Sequence, residues 1–94
     1  MSISAMISRL ENIADAVPYA NSIAELRSLG SQAMGTAVAI KEEFARNGIN
    51  TESQAMLKSL EIYDRGNDLP TLRDNIHIIL QQVAGYYRSK LTYL

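Results

Sequence analysis

His77 is the only histidine of the chain, so any imidazole acid–base or ligand chemistry falls on it. Asp74 stands three residues before it, at a spacing that makes the two neighbours on a helix surface. A carboxylate-bridged metal site of the ferritin type needs two acid-x-x-His pairs and two further carboxylates from other helices. The sequence offers one such pair, and Glu42 and Glu43 fall at the far end of their own segment. No metal or cofactor is therefore expected, and His77 reads as a partly exposed helix residue replaceable by Gln. A lone histidine among scattered serines also leaves no nucleophile–base–acid constellation to assemble.

Two further stretches could carry chemistry. Gly30-Ser31-Gln32-Ala33-Met34-Gly35-Thr36 has the glycine spacing of a phosphate loop. It lacks the Lys before the Thr and has no strand ahead of it, so a close-packed piece of helix is the better reading. Tyr86, Tyr87, Arg88, Lys90 and Tyr93 mix aromatic rings with positive charge, as base-stacking surfaces do. Two cations are few for that task, and both Tyr86 and Tyr87 lie on an apolar stripe, which favours packing. Cysteine is absent, which excludes disulfides, zinc–thiolate sites and thiol nucleophiles.

The whole chain supports this non-catalytic reading. Its 94 residues fit one domain, residues 1–94, with a modest core. Nine Lys and Arg against ten Asp and Glu give a formal charge of −1. That balance argues against nucleic acid as a partner, because displacing counterions from phosphate needs a basic surface. The uncharged windows Ser28–Ile40 and Asn75–Tyr87 are too short for a membrane span, which takes about 20 apolar residues. Arg9 and Glu11 within the first apolar pattern do not suit a signal peptide. A cytoplasmic protein, or a member of a complex assembled inside the cell, is expected.

Four amphipathic segments must position whatever works here. The first spans about Ile3 to Val17, with Ile3, Met6, Leu10, Ile13 and Val17 on one stripe, Ser2 as cap and Pro18 as stop. A second opens at Ser22 with Glu25 three residues on, a capping box. It carries Ile23, Leu26, Gly30, Ala33, Ala37, Ile40 and Phe44 to a stop at Gly48, with a break near Gly30 left open. The third opens at Thr51 with Gln54, carries Met56, Leu57, Leu60 and Tyr63, and ends at Gly66. A fourth starts near Pro70 or Thr71 and runs on through Leu72, Ile76, Ile79, Leu80, Val83, Tyr86, Tyr87 and Leu91. Ala5-Met6-Ile7-x-x-Leu10-Glu11 matches Ala55-Met56-Leu57-x-x-Leu60-Glu61, from chance likeness of amphipathic helices or, less readily, from a duplicated hairpin. The fold expected is all-α, an antiparallel four-helix bundle with helices in the order short, long, short, long.

The two long segments share an unusual feature. At about 100° per residue, Ser31, Gly35 and Ala39 fall opposite the apolar stripe of the second segment. Ile78, Gln81, Gly85 and Ser89 do the same on the fourth. Solvent-facing helix surfaces normally carry Lys and Glu. A small, uncharged face instead suits close approach of another backbone, either the other long helix or a partner. These seven residues are the candidate interface. The function expected is a non-enzymatic protein-binding or assembly module: an adaptor, a small chaperone or a structural subunit, with another protein or a second copy as partner. A small inhibitor or immunity-type protein that occludes its partner is the alternative.

Overall fold

The structure is a computed structural model that describes residues 2–51 and 68–94. The third expected helix, from Thr51 through Gly66, lies outside the described residues except for Thr51 itself. Three α-helices are found among the described residues, and no strand: α1 (Ile3–Ala16), α2 (Ile23–Arg46) and α3 (Leu69–Lys90). Short 3-10 turns follow α1 at Val17–Tyr19 and α3 at Leu91–Tyr93.

Local chemistry sets each start. The Ser2, Ser22 and Asp68 side chains accept the amides of Ala5, Glu25 and Thr71 at 3.1, 3.1 and 2.9 Å. Pro70 occupies the first turn of α3, where a missing amide proton costs nothing. The Ser22 box differs in one detail from its expected form. Glu25 Oε2 reaches past the cap residue and accepts the Asn21 amide at 2.9 Å. The Asp68 carboxyl is held below the usual carboxylate range by its hydrogen bonds with Thr71.

α2 runs unbroken for 24 residues through Gly30 and Gly35, so the stretch from Gly30 to Thr36 is helix and not a phosphate loop. Its end is a Schellman closure. Gly48, at φ +76°, donates to the Ala45 carbonyl at 3.0 Å, and the Ile49 amide donates to the Phe44 carbonyl at 2.9 Å.

The helices pack around α1. Met6 near the start of α1 lines one groove with Ala39 of α2, and Ala16 near its end lines another with Ser28, so these two helices are antiparallel. Arg88 reaches Glu11, His77 reaches Ala14 and Arg73 reaches Ala20, so α3 is antiparallel to α1 as well. α2 and α3 therefore run in the same direction, and they meet where Phe44 stacks on Tyr87 with ring centroids 6.0 Å apart. The core comprises Ile7, Leu10 and Val17 of the first helix and its turn, Ala33, Ala37, Ile40 and Phe44 of α2, and Leu80, Val83 and Tyr87 of α3, all fully buried. The apolar stripe on α1 is wider than its spacing suggests: Ile7 and Ala14 are buried too, because α1 packs on both long helices. Ile23, expected in the core, is exposed at the first position of α2. No helix among the described residues is long and apolar enough to cross a membrane.

Candidate functional site

The seven candidate interface residues fall into two groups on opposite flanks of α1. On α2, Ser31 and Gly35 are exposed and Ala39 is half-buried. Gly35 and Ala39 line a shallow groove with Met6 and Arg9 of α1 and with Gln32 and Thr36. On α3, Ile78 is 51% exposed, and Gln81, Gly85 and Ser89 are exposed. Gln81 and Gly85 line a second groove with Glu11, Asn12 and Asp15 of α1. Among the described residues, a Cβ added at either Gly35 or Gly85 would have no heavy atom of a neighbouring element within 4 Å.

The two uncharged faces thus do not pack on each other. The alternative in which the second and fourth segments bury these faces against one another does not hold among the described residues. Their contact instead uses the apolar stripes, and α1 stands beside it. α1 also supplies what the faces lack. Arg9 rims one groove, while Glu11 and Asp15 rim the other. Two hydroxyls beside or on these faces are satisfied on their own helices, Thr36 Oγ1 donating to the Gln32 carbonyl at 2.8 Å and Ser89 Oγ to the Tyr86 carbonyl at 2.6 Å. Such groups can be covered by a partner without being left unpaired.

His77 is half-buried and serves packing. Its Nδ1 lies 2.8 Å from the Ala14 carbonyl, and since a carbonyl only accepts, Nδ1 carries the proton. Asp74 is exposed, and the Asp74-x-x-His77 pair forms no joint site. No group of three His, Asp or Glu side chains placed to hold a metal occurs among the described residues.

Two more polar ties accompany His77, and the residue pattern gave no hint of either. Arg73 Nη1 donates to the Ala20 carbonyl at 3.0 Å. Arg88 grips Glu11 with two bonds, Nε to Oε2 at 2.9 Å and Nη2 to Oε1 at 2.6 Å, and reaches Ser8 Oγ at 3.3 Å. The Glu11 carboxylate raises the Arg88 pKa above its ordinary value, mainly through this hydrogen bonding. Residues 73, 77, 84 and 88 share one strip of α3, so Ala84, buried between the ties, marks the side that meets α1.

The aromatic cluster divides in two. Tyr87 is fully buried, and its hydroxyl donates to the Ala37 carbonyl at 3.3 Å. Lys90 Nζ lies 5.2 Å from the Tyr86 ring centroid and 5.4 Å from that of Tyr93, so its charge is held over rings of its own chain. That arrangement favours packing over base stacking.

No protein-family model, curated protein or solved structure matches the chain.

Proposed function

We propose that this chain is a non-enzymatic binding or assembly module, an adaptor, small chaperone or structural subunit, and that the outer faces of α2 and α3 are its contact surfaces. One observation carries the reading. Both long helices present exposed, charge-free faces with an open glycine at the centre, and Ile78 stands half in solvent two turns from Gly85 on the same face. Charged side chains would serve solubility better at the exposed positions among these. Small uncharged ones let a second backbone approach.

The reading includes a four-helix bundle. α2 ends beside the Tyr87 end of α3, yet α3 begins near Ala20, at the opposite end of the bundle. The end of α2 and the start of α3 therefore lie a helix length apart, about 33 Å. Thr51 is buried at 2% exposure, and its hydroxyl has no hydrogen-bond partner among the described residues. An unmet buried hydroxyl costs about 1–3 kcal/mol. Capping a helix that opens at Thr51, as the Thr51–Gln54 spacing suggests, would satisfy it.

The test pairs one substitution with one cross-linking scan. Gly85→Lys places a long, hydrated cation in open space, so the isolated fold should melt at or slightly above the wild-type temperature, since Lys outranks Gly in helix propensity by several tenths of a kcal/mol, about 0.5. A photo-cross-linking side chain at position 78 or 35 should form discrete protein adducts in cells, or a dimer in vitro. The same group at exposed Arg46 should form none, and Gly85→Lys should abolish the adducts from position 78. A lowered melting temperature for Gly85→Lys, or adducts no stronger at 78 and 35 than at 46, would refute the reading.

A further inference from the structure

Asn47-Gly48 is the one Asn-Gly dipeptide of the sequence, and it forms the closing turn of α2. Chemically it is the weakest point of the backbone. Glycine has no Cβ to hinder its own nitrogen, so the Gly48 nitrogen, on losing its proton, can attack the Asn47 side-chain amide carbon. A nitrogen–Cγ bond forms, the Cγ–Nδ2 bond breaks, and ammonia leaves a five-membered succinimide. Water that opens the side-chain carbonyl breaks the new nitrogen–Cγ bond and gives aspartate, whereas water that opens the main-chain carbonyl breaks the original peptide bond and leaves the chain running through Cγ as isoaspartate. No oxidant or cofactor takes part.

The fold opposes each requirement of that attack. The Gly48 N–H donates to the Ala45 carbonyl at 3.0 Å, which holds the proton that must leave. Asn47 Nδ2 donates to the Glu43 carbonyl at 2.9 Å, which draws the side-chain amide back along α2, away from Gly48. Asn47 has ψ 13°, so the Gly48 nitrogen nearly eclipses Asn47's own nitrogen and points away from its Cβ. Ile49, half-buried against the core, donates to the Phe44 carbonyl at 2.9 Å and locks the turn from the far side.

We propose that Asn47-Gly48 is a fold-gated deamidation site, protected by the Schellman closure of α2 and exposed to succinimide formation when that closure opens. This inference is independent of the proposed binding role. Helix ends open far more often than cores do, so the site reports local fraying and not global unfolding. The reaction also reinforces itself. Its product adds a negative charge at the negative end of the α2 dipole, one turn from Glu43. The isoaspartyl form further lengthens the main chain by one methylene, so the amides of residues 48 and 49 lose their register with Ala45 and Phe44. Once modified, the closure opens more readily, and with it the path of the chain toward buried Thr51.

The experiment incubates the full chain at mildly alkaline pH, in buffer and in guanidinium chloride, and maps peptides by mass spectrometry with separation of aspartyl and isoaspartyl forms. In denaturant, isoaspartate should accumulate at position 47 ahead of every other Asn. In buffer the same site should react slower by about tenfold or more. Ile49→Ala removes the side chain that locks the turn and leaves the dipeptide intact, so its rate in buffer should fall between the two. Equal wild-type rates in buffer and denaturant would overturn the gating, and a non-reacting Asn47 in denaturant would overturn the site. Should Ile49→Ala unfold the chain altogether, the wild-type comparison decides alone.

Discussion

Replacing His77 by Ala tests the packing of α1 on α3 directly. The imidazole Nδ1–H donates to the Ala14 carbonyl at 2.8 Å. That carbonyl also accepts the Val17 amide that closes the helix, so deleting the imidazole orphans no backbone oxygen. The loss is then the net worth of one hydrogen bond, about 0.5–1.5 kcal/mol. Ala returns roughly 0.5 kcal/mol of helix propensity, while part of the contact of a half-buried ring is forfeited. The balance is a destabilisation of about 0.5–1 kcal/mol, which in a domain of this size lowers the melting temperature by roughly 2–8 °C. Thermal denaturation followed by circular dichroism measures it, with exposed Asp74→Ala as the control that should barely shift. His77→Gln should fall between wild type and His77→Ala, in contrast to the unchanged stability that the sequence suggests. Equal melting of His77→Ala and wild type would show that the Ala14 contact contributes nothing.

Tyr87→Phe should lower the stability by about 0.5–1 kcal/mol, read as a lower urea midpoint with an unchanged slope, because the Ala37 carbonyl keeps its helical partner when the phenol is lost. Tyr87→Ala opens a cavity beside Phe44 and should cost about 3–5 kcal/mol, so equal effects of the two variants would place the energy of this residue in its hydroxyl and not in its ring. Asp68 should make the protein acid-sensitive. Its folded-state pKa is lowered, so its contribution is complete above the unfolded value of about 4 and is lost as pH falls through the folded value. Asp68→Asn retains an acceptor for the Thr71 amide without the titration. The stability difference between Asp68→Asn and wild type should therefore change as the pH is lowered through this range, and parallel pH profiles would refute the assignment.

The sequence by itself determined the helices that are described, and little about what stands between them. Ser2, Ser22 and Gly48 act within about one turn, so their residue types alone set two starts and one stop, whereas the last helix starts at Leu69 under an Asp68 cap, ahead of the start near Pro70 or Thr71 that the sequence suggests. Apolar spacing gave most of the core for a similar reason, since a helix repeats its faces at a fixed interval. The outward position of Gly35, Ile78 and Gly85 was legible from the same spacing. Tertiary structure decided what the wheel cannot express: α1 lies alongside both long helices, the two uncharged faces diverge onto opposite flanks, and charges from α1 rim each groove. It also decided the roles of Arg73 and His77, which bind the carbonyls of Ala20 and Ala14 at sequence separations of 53 and 63 residues. A main-chain carbonyl is the same chemical group at every residue, so a side chain that pairs with one leaves no complementary residue type to be read in the sequence.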